Sequence, residues 1–269
     1  MKRILAALSF FTRVPFWKLA KLEKTHYSNL VVLWPLAGWL TGCVMALAFW
    51  LSSFFLPIPV AVVIAIVSRI VLTGALHEDG YADFFDGFGG GRDRSSILRI
   101  MKDSHIGTYG VLALVLYFLL LYNVINSYVL IKQAEFFDVC VPSYSSSAFS
   151  FFHIAFIFIA ADSFSKWTSS NIINILPYAR TEDDAKNKLL YNKMSWSDRI
   201  LCFILGVIPT LSLMPFLFVI PMFVSALVTM IMIFLFHKKL GGYTGDCCGA
   251  CFVITELSYY ITALVIIYN

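Results

Sequence analysis

The sequence predicts an all-α fold: a polytopic transmembrane helix bundle of six or seven spans, with short interfacial helices at its cytoplasmic face. Three observations predict it. Hydrophobic residues make up 59% of the 269 and charged residues only 13%, with a mean hydropathy of +0.81, whereas a soluble domain carries about 25% charge. The apolar residues gather in runs of about 20, the length that crosses a bilayer. Lys and Arg collect in alternate gaps between those runs.

The chain opens with MKRILAALSFFTRVPFWKLAKLEK. Lys2 and Arg3 before a short apolar run resemble the start of a signal peptide. Arg13 and Pro15 interrupt that run and no small-residue cleavage site follows, so an uncleaved amphipathic segment lying on the membrane is expected. Spans are then predicted at Leu30 to Phe55, Pro59 to Leu76, Tyr109 to Ile131, Phe149 to Ser170, Ile200 to Met214, Phe216 to Phe236 and Gly249 to Tyr268. Pro209, Pro215 and Pro221 obscure the division between the fifth and sixth, which is why six spans compete with seven. No linker or change of composition marks a second domain, so residues 1–269 read as one integral membrane domain.

Basic residues set the orientation. Lys2, Arg3, Arg13, Lys18, Lys21 and Lys24 precede the first span; Arg92, Arg94, Arg99 and Lys102 follow the second. Arg180, Lys186, Lys188, Lys193 and Arg199 follow the fourth, and Lys238 and Lys239 the sixth. The other side carries only Lys132. The alternation predicts a multi-pass protein of the cell (inner) membrane with a cytoplasmic N-terminus. The net charge of +4 is too small to suggest a nucleic-acid partner. The lipid bilayer is the expected partner, and homo-oligomerisation is left open.

Cysteines 43, 140, 202, 247, 248 and 251 fall mostly within apolar runs and read as reduced packing residues rather than a disulfide framework. Arg69, Asp162 and Lys166 lie within apparent spans, where each costs about 2.5–3.5 kcal/mol at the bilayer centre. They are expected to face the bundle interior, with Asp162 and Lys166 paired at i, i+4.

Charge concentrates between His77 and Gly110: Glu78, Asp79, Asp83, Asp86, Asp93 and Asp103 are six of the chain's sixteen carboxylates. If Glu78 to Phe88 continues the second helix, Asp79, Asp83 and Asp86 share one face at i, i+4, i+7. Two carboxylates about 5 Å apart repel by roughly 3 kcal/mol at an effective dielectric of 20. Such a set at a membrane boundary requires a cation or protons, and hard oxygen ligands without His or thiolate suit Mg²⁺ or Mn²⁺. Glu78, Asp79, Asp83 and Asp86 are therefore the expected metal ligands. Gly80 and Gly87 are expected to leave room beside them for a substrate. A solvated acidic helix end is the bland alternative, but it does not account for the Gly89-Gly90-Gly91 break and the compact helix that follows.

That helix reads as Asp93 at the N-cap, then RSSILRIMKD with Ile97, Ile100 and Met101 on one side. Arg92, Arg94, Arg99 and Lys102 on the other side suit a diphosphate, or ordinary positive-inside anchoring. Gly107 and Gly110 permit close backbone approach at the start of the third span; His105 reads as a helix-cap residue. Gly241 to Asp246, GGYTGD, opens the last span, and Gly245 and Asp246 at a helix N-terminus suit anion binding or a further metal contact.

HEDGYADFFDG, RD, MKDSHIGTYG and GGYTGDCCGA, together with SFFTRVP near the start, resemble in order the signature segments of the cobalamin synthases, also called adenosylcobinamide-GDP ribazoletransferases. The resemblance covers most of the chain except Asn171 to Arg199 and Lys132 to Ala148. It implies a Mg²⁺-dependent transferase that joins adenosylcobinamide-GDP to α-ribazole or its 5′-phosphate and releases GMP. Asp79, Asp83 and Asp86 would hold the metal, and Asp83 or Asp86 would take the hydroxyl proton. Arg94, Lys102, Asp103 and Ser104 would contact the phosphates or the guanosine, and Asp246 would add a further contact. The acidic pattern loosely resembles that of the CDP-alcohol phosphotransferases, although their fuller motif is not reproduced. A cation transporter using the acidic cluster is the rival from another class; it needs carboxylates near the midplane and internal repeats, and the sequence offers neither. A noncatalytic scaffold leaves the DGxxDxxDG spacing unexplained.

Overall fold

A computed structural model describes residues 1–139, 145–180 and 192–269. Cys140, Lys186 and Lys188 lie outside the described residues. The described residues form helices joined by short loops and turns, with one isolated bridge between Tyr178 and Tyr243. The helices are α1 (Lys2–Phe11), α2 (Trp34–Ser53), α3 (Ile58–Thr73), α4 (Leu76–Gly90), α5 (Arg94–Ile100), α6 (Thr108–Val139), α7 (Ser145–Ser170), α8 (Ile172–Ile175), α9 (Trp196–Leu213), α10 (Val219–Leu240) and α11 (Gly245–Tyr268). Among the described residues five segments are long and apolar enough to cross a membrane, and six if the bent pair α3–α4 counts as one. The bundle is thus polytopic and all-α, as its composition requires.

α7 is long enough to span but carries Asp162, Lys166 and a polar end. It packs against α2, α9 and α11. Its residues from Ile154 onward are mostly buried by protein, so their apolarity need not match that of a lipid-facing helix. Lys166 pairs with Asp162, and Thr41 of α2 joins them: Lys166 Nζ donates to Thr41 Oγ1 at 3.0 Å and Thr41 donates to Asp162 Oδ2 at 2.7 Å. Arg69 of α3 donates to Glu256 of α11 at 2.6 Å and to the Tyr117 hydroxyl of α6 at 2.6 Å. Both groups are fully buried. Phe252 lies between them, its ring centre 6.0 Å from the Arg69 guanidinium and 4.7 Å from the Lys166 ammonium. Glu256 is a fourth charge within a span, and it lies in the last apolar run.

The acidic helix does not continue the second span. α3 ends at Gly74 (φ +64°) and the next residue, Ala75, is also left-handed (φ +57°). Two consecutive left-handed residues turn the chain through 89°. A non-glycine residue there costs about 1–2 kcal/mol, so the surrounding packing must enforce the turn. The Arg13 side chain packs against Gly74, and its backbone amide donates to Leu72 O at 2.7 Å. The basic, proline-interrupted N-terminal segment is thereby tied to the break that aims the acidic helix.

Candidate active site

α4 carries the acidic set, and each carboxylate has a different environment. Glu78 is buried and turns inward: its Oε1 accepts from Arg69 at 3.3 Å and its Oε2 has no hydrogen-bond partner among the described residues. Asp79 is exposed and lines a cavity, while Asp83, one turn further on, is half-buried. Asp86 is buried and acts as a cap in trans for α6: Oδ2 accepts from the Gly107 amide at 2.7 Å and Oδ1 from the Gly110 amide at 2.9 Å. Those amides belong to the first turn of α6, where the helix has no internal acceptors. A Cβ at Gly107 or Gly110 would lie 2.5 Å from an Asp86 oxygen, so both glycines are required by this contact.

The expected i, i+4, i+7 face exists on α4, but it does not act as one cluster. The glycines beside it are also used differently. A Cβ at Gly80 would lie 3.0 Å from the Asp246 Cα, and one at Gly87 would lie 2.4 Å from the Met101 side chain. Helix packing against α11 and α5, rather than substrate access, accounts for the missing side chains.

α5 forms as its capping pattern predicts. Asp93 Oδ1 accepts from the Ser96 amide at 2.8 Å, and Ile97 and Met101 are buried. The Ser96 amide, with the Ser95 and Ser96 hydroxyls, pushes Asp93 down to about 2. Arg94 donates to Ala179 O at 3.0 Å. Asp103 is exposed; the His105 amide and ring bond to it and hold it below the ordinary carboxylate range. Lys102 and Ser104 are exposed nearby. His105 bonds to this carboxylate at the surface, just before α6.

A short strap, residues 177–180, completes the site. Ala179 N donates to Tyr243 O at 2.8 Å and Tyr243 N to Pro177 O at 3.0 Å. The strap carries Arg180 back over α11, where its guanidinium donates to Leu98 O at 3.2 Å and lies 3.7 Å from Asp246 Oδ2. Burial of Tyr178 raises its phenol above the ordinary value.

Asp79, Arg180, Gly245 and Asp246 meet in one partly enclosed cavity of about 210 Å³. Phe10 and Phe11 from α1 and Trp34 from α2 provide its apolar side. Thr244 caps α11, its hydroxyl accepting from the Cys247 amide at 3.3 Å. Arg94, Lys102, Asp103 and Ser104 do not line the cavity; they belong to α5 and the turn into α6.

Among the described residues no three His, Cys, Asp or Glu side chains converge as a ready-made metal cage. Magnesium is usually held by one or two carboxylates together with substrate phosphates and water. Asp79 and Asp83, one turn apart and not fully buried, fit that donor set.

The family described as cobalamin-5-phosphate synthase matches residues 3–264. The chain belongs to that family. It is 34% identical over 262 residues to the adenosylcobinamide-GDP ribazoletransferase of Shewanella baltica (strain OS185), covering 97% of this chain and 93% of the relative. It is 32% identical over 260 residues to the protein of the same description from Shewanella oneidensis, covering 97% and 92%. No solved structure matches.

Two features of the site and its support, Arg180 and Glu256, carry no local signal in the sequence. Arg180 lies in a stretch that resembles no signature segment. Glu256 sits unremarked in an apolar run. His77 accepts from Trp34 Nε1 at 3.2 Å, and Phe10 and Phe11 line the cavity from the far end of the chain. His77 lies in HEDGYADFFDG and the two phenylalanines in SFFTRVP, both segments that resemble the family's.

Proposed function

We propose that the protein joins adenosylcobinamide-GDP to α-ribazole or α-ribazole 5′-phosphate, giving adenosylcobalamin or its 5′-phosphate and GMP. What carries this reading is the meeting of Asp79, Arg180 and Asp246 at one cavity in a chain that matches the family from residue 3 to residue 264. A ribose hydroxyl oxygen forms a bond to the phosphorus that bears the cobinamide. The bridging oxygen–phosphorus bond breaks, and GMP leaves with that bridging oxygen. Asp83 takes the hydroxyl proton, while Asp86, engaged by two amides, keeps the start of α6 in place. Asp79 and Asp83 would hold Mg²⁺, with Glu78 behind them on Arg69; the bound ion would neutralise charge on the diphosphate. Arg94 on α5 and Lys102, Asp103, Ser104 and Gly107 beyond it form the basic and polar edge that takes the rest of the donor.

The distribution of basic residues supports a cytoplasmic position for this face in the cell's inner membrane. The transporter and CDP-alcohol-phosphotransferase readings are not favoured, since the match is to synthases along nearly the whole length. Purified protein in detergent, given adenosylcobinamide-GDP, α-ribazole and Mg²⁺, is expected to release GMP. Release of none would overturn the reading.

A further inference from the structure

The cavity beside α11 is built for more than closing two helices together. One side is aromatic: Phe11 stacks on Trp34 with ring centres 5.6 Å apart, and Trp34 stacks on His77 at 5.7 Å. All three line the space. At its polar side the Arg180 side chain is only 5% exposed, yet Nε has no partner among the described residues. Leu98 O accepts from the guanidinium at 3.2 Å, and Asp246 lies 3.7 Å away, beyond hydrogen-bond range. A guanidinium taken this far out of water costs free energy unless more of its donors are satisfied. Beside it the N-terminus of α11, 24 residues long, adds positive partial charge. Gly245 leaves the mouth open, since a Cβ there would meet nothing within 4 Å.

Resting on the transferase reading above, we infer that this cavity is a nucleotide pocket, with a planar base against the Phe11–Trp34–His77 side and a phosphoryl group on Arg180. Asp246 accepts from a ribose hydroxyl, as carboxylates do in other nucleotide sites. Two substrate parts share this chemistry: the guanosine end of the donor, and α-ribazole 5′-phosphate.

Binding of GMP and of α-ribazole 5′-phosphate to the full chain in detergent, measured by calorimetry, separates them. Arg180→Gln is expected to weaken one of the two at least tenfold and the other less than twofold, which names the occupant. Arg180→Lys restores part of the loss. The matching nucleoside, lacking phosphate, binds Arg180→Gln as it binds the unsubstituted protein. Gly245→Phe, which fills open space without a left-handed backbone, prevents binding of the same nucleotide. The pocket is refuted if neither nucleotide is weakened by either variant, if the unsubstituted protein binds neither, or if the nucleoside is weakened as much as the nucleotide. Nucleotide binding without GMP release would instead refute the transferase reading and leave the pocket standing.

Discussion

Asp86 on α4 holds Gly107 at the start of α6, with 2.7 Å between the carboxylate oxygen and the glycine amide. The second oxygen receives the Gly110 amide at 2.9 Å. Two helices are thereby joined by one side chain, close to the acids of the proposed active site. Asp86→Asn replaces one acceptor by a donor facing an amide. A buried amide left unpaired costs about 1–3 kcal/mol, so this variant should melt earlier in detergent. Asp86→Asn with an unchanged melting temperature would show that the contact is dispensable.

Asp79 and Asp83 are expected to behave differently from Asp86. Asp79→Asn and Asp83→Asn should abolish GMP release while membrane insertion and melting temperature stay near those of the unsubstituted protein. Removing divalent ions with a chelator should abolish release as well, and Mg²⁺ should restore it. Full activity in both variants would remove the metal assignment.

The buried pair Arg69 and Glu256 gives a prediction about stability. Removing one partner leaves a charge without its counter-ion, which costs about 3–5 kcal/mol in a protein interior. Glu256→Met and Arg69→Met should each lower the yield of folded protein and the melting temperature. The double variant Arg69→Met/Glu256→Met should recover part of the loss. Additive losses in the double variant would contradict the pairing.

At Asp93 the expected effect depends on pH. Hydrogen bonds from Ser96 and Ser95 depress the carboxyl to about 2 from an ordinary 3.8. A group depressed on folding contributes stability above its unfolded value and loses it as pH falls through its folded value. α5 should therefore show constant amide-exchange protection from pH 5 to 8, using roughly the ordinary carboxylate range as the lower guide, and lose protection on acidification towards pH 2. Asp93→Ala should remove the acid dependence together with the cap, leaving the first-turn amides of α5 poorly protected throughout.

Much of the fold could be read locally. Helical spans follow from the length of the apolar runs, and the α5 cap from Asp93 and Ser96 alone. The family's signature segments marked α4 and the start of α11. The 89° turn could not be read, because Ala75 is a good helix former and yet adopts a left-handed conformation. The uses of Gly80 and Gly87 were hidden for a similar reason: a glycine's neighbours come from α11 and α5 rather than from adjacent sequence. Arg180 was hidden because its partners, Leu98 and Asp246, are remote along the chain.

By itself the sequence determined that this chain lives in a bilayer as helices and that its acids are concentrated in one short stretch. Both follow from composition and spacing, which act residue by residue through transfer from water and hydrogen bonding within a helix. Only the tertiary structure decided which acid faces the cavity, which is tied to Gly107 and Gly110, and which lies behind on Arg69. Three carboxylates on one helix meet three different neighbours, and a side chain's partner is set by the helix packed against it.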